Sequence, residues 1–234
     1  MASESKLNKF LRVVELGNRT SRLGDAIYHK AIELVREFID KNEITPRAIY
    51  ESIVTFLVTW GQLGRTIWRV NVKELTNVIR DAVRIVRSKL AGLTIFNANI
   101  EDVKNEVKQI FNSLKGVKFI GPTAVSKIMH LLHPDLFIMW DNDIRAMYKL
   151  GDTAEEYIRF LKMMQQFINE IINEYSQQQH ISLDEAKELL KRKFGGKPLT
   201  KIIDEYNWLC SKEGVMRTLE EIVQASSFSC DRNT

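Results

Sequence analysis

Asp141 ends an apolar strip, Leu136-Phe137-Ile138-Met139-Trp140, and is followed by Asn142-Asp143-Ile144-Arg145. A carboxylate in that setting has two uses. It can cap a helix by accepting a first-turn backbone N–H, which stabilises by about 1 kcal/mol. It can also be held for chemistry, where partial desolvation and nearby charge make it effective. The two readings share one geometry, a carboxylate at a helix start, and both stay open. Just upstream, His130 and His133 stand three apart with Asp135 close behind. Those are the residue types of a metal site. Pro134 puts His133 past a helix end, so the two rings diverge, and neither a metal nor another cofactor is expected.

Basic residues cluster twice. Arg65, Arg69, Arg80, Arg84 and Arg87 occupy one region, and the last three fall on one face of a helix. Such a row can neutralise phosphates. It can equally be a solvated surface balanced by Glu74 and Asp81. A second cluster runs from Lys191 to Lys201 beside Gly195-Gly196, and reads as a solvated helix end or a polyanion contact. Phe160, Met163, Met164, Phe167, Ile168 and Ile171 have the spacing of a core stripe. No phosphate-binding loop, dinucleotide fingerprint, nucleophile elbow or kinase motif appears.

The elements that must position these groups read as helices throughout. Pro46 after Thr45, Asn71 before Val72, Asp152 or Thr153 before Ala154, and Ser182 with Glu185 are helix starts. Asp25 is an expected cap for the helix around residues 26–40, and Asn99 for a helix ending at Gly116. The segment from Ile53 to Trp60 is apolar nearly all round, which predicts a central helix. No window alternates long enough for a strand, and residues 93–99 are the one short stretch that could be extended. The expected fold is all-α, a bundle of eight to nine helices over residues 21–226, with a sub-boundary conceivable near Gly151. Residues 1–20 are expected as an extension and 227–234 as a tail. With 234 residues and 44% hydrophobic content, the chain can bury a full core. Its formal charge of +4 permits a nucleic-acid partner without requiring one. Cys210 and Cys230 are too few for a disulfide framework. No apolar run reaches the ~20 residues of a membrane span, and the first ten residues lack a signal-peptide core. A cytoplasmic protein is expected. The Ile, Val, Lys and Glu usage is that of thermophile proteins.

The stretch SLKGVKFIGPTAVSKIMHLL, residues 113–132, resembles a helix-hairpin-helix. Gly121 would be the flexible turn residue, Pro122 and Thr123 would open the second helix, and Ala124 would allow close helix packing. Backbone amides at such a turn can hold a phosphate. With LFIMWDNDIRAMYKLG following it, the stretch resembles the helix-hairpin-helix DNA glycosylase superfamily, the endonuclease III-like proteins. There an apolar strip leads to an aspartate capping a helix that carries an arginine and ends near Leu-Gly. Asp141, Arg145 and Leu150-Gly151 fit, and Ala124 and Asp141 are 17 positions apart. SIVTFLVTWGQLG resembles the family helix that ends in a glutamine loop facing DNA, with Gln62 in that place.

The resemblance implies cleavage of the N-glycosidic bond of a flipped base. Asp141 would stabilise charge on the sugar or activate water. Trp60, Trp68, Trp140 and Tyr148 would be candidate pocket walls, and Gly121, Pro122, Thr123, Gln62, Arg65 and Arg145 would contact DNA, with RNA kept as an alternative. The family's hairpin lysine is absent, because Pro122 stands in its place, and its cysteine cluster is absent too. A monofunctional glycosylase follows as the expectation. Lys127, about a turn further on, is a displaced candidate amine, with a solvated or phosphate-facing lysine as its plainer role. Two alternatives remain beside this reading: a non-catalytic nucleic-acid binder on the same scaffold, and an all-α interaction protein.

Overall fold

The computed structural model describes residues 4–20 and 22–212, without side-chain placement at residues 19–23. Among them are eleven helices and no strand. They are α1 (Lys6–Thr20), α2 (Arg22–Asp40), α3 (46–59), α4 (Gly64–Ile67), α5 (72–90), α6 (Lys104–Gly116), α7 (Pro122–Leu132), α8 (Asn142–Met147), α9 (Ala154–Gln179), α10 (Leu183–Lys193) and α11 (Leu199–Ser211). Helices α3 and α5 each contain a π-helical turn, at Tyr50–Val54 and Val86–Leu90. The expected helix near residues 215–226, the tail and Cys230 lie outside the described residues.

Several helix starts follow local chemistry. Thr45 accepts the Ala48 N–H at 3.2 Å, Asn71 accepts those of Lys73 and Glu74, and Thr153 accepts that of Glu156. Ser182 and Glu185 form a reciprocal capping box. Two expected caps are not caps. Helix α2 begins at Arg22, so Asp25 lies inside its first turn. Asn99 bonds Glu101 within a turn, and α6 starts only at Lys104.

The core lies where α7 is enclosed. From Ala124 to Leu132 every residue of α7 is buried, polar ones included. Helices α2 and α6 pack on it, and the strip 136–140 runs beside it. Ser126 Oγ donates to the Trp140 carbonyl, and the Trp140 N–H donates back to Ser126 Oγ, both at 3.1 Å. His130 is wholly buried. Its Nδ1 donates to the Phe137 carbonyl at 2.7 Å, and its Nε2 accepts from the Tyr28 hydroxyl at 2.9 Å. Burial lowers its pKa to about 3, so the ring stays neutral. His133 instead faces the Leu90 carbonyl. The two rings part as expected, and no metal-binding group of three or more acidic, His or Cys side chains occurs among the described residues. No described helix is long and apolar enough to cross a membrane.

The first twenty residues differ from expectation. Residues 6–20 form α1, which buries Leu7, Phe10, Val13 and Val14 and packs on α11 and α9. The apolar spacing Leu7, Phe10, Val14 is one helix face, so the segment belongs to the core. The second basic cluster also differs. Lys197 and Lys201 are almost fully buried. Lys197 Nζ donates to Asn18, Asp25 and Glu205 at 2.9–3.0 Å. Lys201 Nζ bridges Asp204 at 2.9 Å and Glu205 at 3.0 Å. This network ties α1 and α2 to α11.

Removing one member of a buried ion network leaves the others uncompensated. Lys197→Met is expected to lower unfolding free energy by about 3–5 kcal/mol, read as a lower denaturant midpoint with an unchanged slope.

Candidate active-site cleft

A cleft of about 680 Å³ opens between the start of α2, the loop after α3, α7, the start of α8 and the face of α11 that carries Lys201, Asp204, Glu205 and Trp208. Its lining includes Trp60, Gln62, Lys127, Asp141, Asp204 and Trp208. The volume lies in the range of small-molecule pockets, about 300–1,000 Å³.

The loop TWGQLG is shaped by Gly61. A Cβ there would stand 2.5 Å from the Leu57 carbonyl oxygen, closer than real atoms approach. The loop can therefore fold back on α3 only with glycine at this point. Gln62 follows with φ of 53°, the left-handed region that non-glycine residues adopt only under constraint. It is exposed and lines the cleft. Trp60 stacks on Phe56 with ring centroids 4.9 Å apart, which fixes the indole as a half-buried wall.

Lys127 reaches this wall from α7. Its Nζ donates to the Gly61 carbonyl at 3.3 Å and lies 5.0 Å from the centre of a Trp60 ring. The side chain is buried, which overturns the solvated role expected for it. The reason is the helix that carries it: α7 is enclosed on every face, and its lysine can only emerge into the cleft. Burial pushes its pKa below the ordinary lysine value, opposed by Asp204 and Asp141 and reinforced by Lys201.

Asp141 enters from the opposite rim. Its Oδ1 accepts the Ile144 N–H at 2.8 Å, capping α8, while the residue stays half-exposed in the cleft lining. One carboxylate thus serves as cap and cleft wall together.

Helix α11 supplies a face that sequence reasoning did not find. Lys201 lies 4.7 Å from a Trp60 ring centre and 5.5 Å from that of Tyr28. Burial depresses its pKa, but Asp204 and Glu205 outweigh this and hold it above the ordinary value. Burial raises the pKa of Asp204 against the pull of Lys201. Burial acts the same way on Glu205, yet Lys201 and Lys197 prevail and lower it. Trp208, 43% exposed, lines the cleft. The spacing of Lys201, Asp204, Glu205 and Trp208 by three and four positions was the available signal, since it puts all four on one helix face.

The other expected site residues fall elsewhere. Trp140 contributes to the cleft lining, but its side chain is fully buried against Phe111, Tyr157 and Phe160, so it is a core residue. Tyr148 packs on Phe160, and its hydroxyl donates to Asn207. Trp68 is outside the cleft and 62% exposed. Arg145 lies over Trp140 and donates to Asn142 at 2.5 Å, and is not itself among the cleft-lining residues. Gly121 is exposed before α7, next to Pro122 and the cleft-lining Thr123, and no side chain caps that helix end. Its φ of −88° is one any residue adopts, and the left-handed turn residue is Phe119, at 74°. Arg80, Arg84 and Arg87 line a separate groove of about 470 Å³. There Arg80 donates to the Ile44 carbonyl and Arg87 to that of Ile39, near the end of α2. No protein family, curated protein or solved structure matches this chain.

Lys127 and Lys197 predict opposite signs. Lys197 is held by two carboxylates, whereas Lys127 has a carbonyl and a ring. Below its ordinary pKa the unfolded chain binds the proton of residue 127 more readily than the folded one. Stability therefore rises with pH between the folded and unfolded pKa values, and the burial cost is greatest below both. Lys127→Met is expected to raise the melting temperature at pH 7 by about 2–4 °C, the shift that about 1 kcal/mol produces in a chain of this size.

Proposed function

We propose that the protein is an intracellular DNA N-glycosylase, built on a helix-hairpin-helix scaffold formed by α6, the turn at residues 117–121 and α7. The observation that carries this reading is the meeting of Lys127 and Asp141 in one aromatic-walled cleft. The cleft has room for an extruded base, and the exposed Trp208 in its lining offers a π-face to it. The exposed turn at Gly121 leaves the first-turn amides of α7 free of side-chain caps, which suits a backbone phosphate.

The chemistry follows from the two groups. Cleaving an N-glycosidic bond builds positive charge on the sugar, and the Asp141 carboxylate stabilises it. The bonding electrons leave with the base. In its deprotonated form, which burial favours, the Lys127 amine forms a bond to the same sugar carbon. Its surplus proton passes to the departing base. The resulting amine adduct opens to a Schiff base. A buried amine makes this route favoured over the water-only mechanism that the missing hairpin lysine implies.

A second reading, a nucleic-acid binder without catalysis, is favoured by one observation: Asp141 is already engaged as the α8 cap.

Borohydride trapping separates them. Duplexes carrying a panel of damaged or mismatched bases, and one carrying an abasic site, are incubated with the full chain and reductant. The catalytic reading predicts a covalent protein–DNA species that Lys127→Gln abolishes, and base release that Asp141→Asn reduces at least about 100-fold, by analogy with loss of a charge-stabilising group. Asp141→Asn should leave binding within a few-fold. Binding with no adduct and no base release on any duplex would support the second reading.

A further inference from the structure

Trp68 has the most exposed large apolar side chain among the described residues, at 62%. It follows α4 directly, and its indole packs over Gly64. A Cβ at Gly64 would stand 3.4 Å from the Trp68 Nε1. One and two positions before Gly64 are Leu63 and Gln62, both in the cleft lining. The indole is thus mounted on the outer side of the loop whose inner side walls the cleft.

Its flanks are cationic. Arg65 and Arg69 are both exposed, and neither guanidinium has a hydrogen-bond or ion-pair partner among the described residues. Elsewhere some exposed cations are neutralised in place, Lys41 by Glu37, Arg47 by Glu51 and Lys193 by Glu15, while others, such as Lys73 and Lys89, have no carboxylate partner among the described residues and no exposed indole next to them in the chain. Around Trp68 the charge is left open. An exposed indole costs hydration free energy, and two unpaired guanidiniums beside it do nothing to cover it. The combination matches one kind of occupant, a nucleotide with a free π-face and a neighbouring phosphate. A fully paired duplex keeps its base faces stacked. A base whose partner has been drawn into a cleft does not.

We propose that Trp68 is a stacking platform for an unpaired DNA base at the cleft mouth, with Arg65 and Arg69 holding the adjoining phosphates. The proposal rests on the nucleic-acid reading above but not on its chemistry. It makes the outer side of the loop a sensor of broken pairing, distinct from the pocket on its inner side.

The test uses the full chain carrying Lys127→Gln, so that no turnover intervenes, with and without Trp68→Ala. Anisotropy titrations compare a fluorescent single strand, a duplex with one abasic-site analogue, and the same duplex fully paired. Trp68→Ala is expected to weaken binding to the first two by about 5- to 100-fold and to the paired duplex by much less. Trp68→Phe should recover most of the loss. Arg65→Gln with Arg69→Gln should flatten the salt dependence on the single strand by about 1.4 in slope. Circular dichroism checks that each variant is folded. Equal affinity of Trp68→Ala and its parent for all three DNAs, or an equal loss on all three, overturns the proposal. A Trp68-dependent preference for unpaired DNA together with failed borohydride trapping would leave the platform standing and remove the glycosylase.

Discussion

The arrangement depends on one buried ion network. Lys201 is held between Asp204 and Glu205, and Glu205 also binds Lys197, which reaches Asp25 on α2. Burying four charges from one helix and its approach is costly unless each is paired. Here they alternate in sign, so each group faces an opposite one and the network fixes geometry. It locks α11 against α2, and through α11 it locks the outer wall of the cleft. Had these positions been apolar, α11 could pack as well, but the cleft would have no fixed polar floor.

That floor sets the electrostatics of Lys127. The amine lies in a place where desolvation favours its neutral form. Lys201 works in the same direction, and Asp204 and Asp141 work against it. Lys201 spends its charge on two carboxylates, whereas Lys127 has no carboxylate bonded to it among the described residues. Two lysines beside one indole therefore differ in kind. One is held as a cation by two carboxylates, and burial makes the other less basic than an ordinary lysine. The same separation explains why Asp141 can cap α8 and still face solvent in the cleft, since a cap uses one of its two oxygens.

Much of the fold was legible because helix caps and apolar spacing are local. Thr45, Asn71, Thr153 and Ser182 act through neighbours within three positions; three cap as read, and Thr153 is the one of two expected starts, Asp152 being the other, that caps. Asp25 did not, because α2 starts at Arg22 and leaves it inside the first turn, where it pairs with Lys197 from far along the chain. Residues 1–20 were misjudged for a related reason: α1 is made stable by contact with α11 and α9, which no local window reveals. In the site, Asp141, Trp60 and Gln62 were visible from their order along the chain. Lys127 was visible but misassigned, since its burial follows from α7 being enclosed by other helices. Asp204 and Trp208 were missed because their spacing shows only that they share a helix face with Lys201, and what that face meets is set by tertiary packing. Trp68 and Trp140 look alike in sequence, and tertiary packing alone sends one to the surface and the other to the core.

The central claim is that residue 127 presents an amine made less basic by burial, in the cleft that Asp141 also lines. NMR titration of the lysine ε-resonances, with residue 127 assigned by comparison with Lys127→Met, measures this directly. The account predicts a titration midpoint clearly below the ordinary lysine value of about 10.4. A midpoint at or above that value would mean that Lys127 remains an ammonium ion under working conditions, and the proposed chemistry would lose its nucleophile.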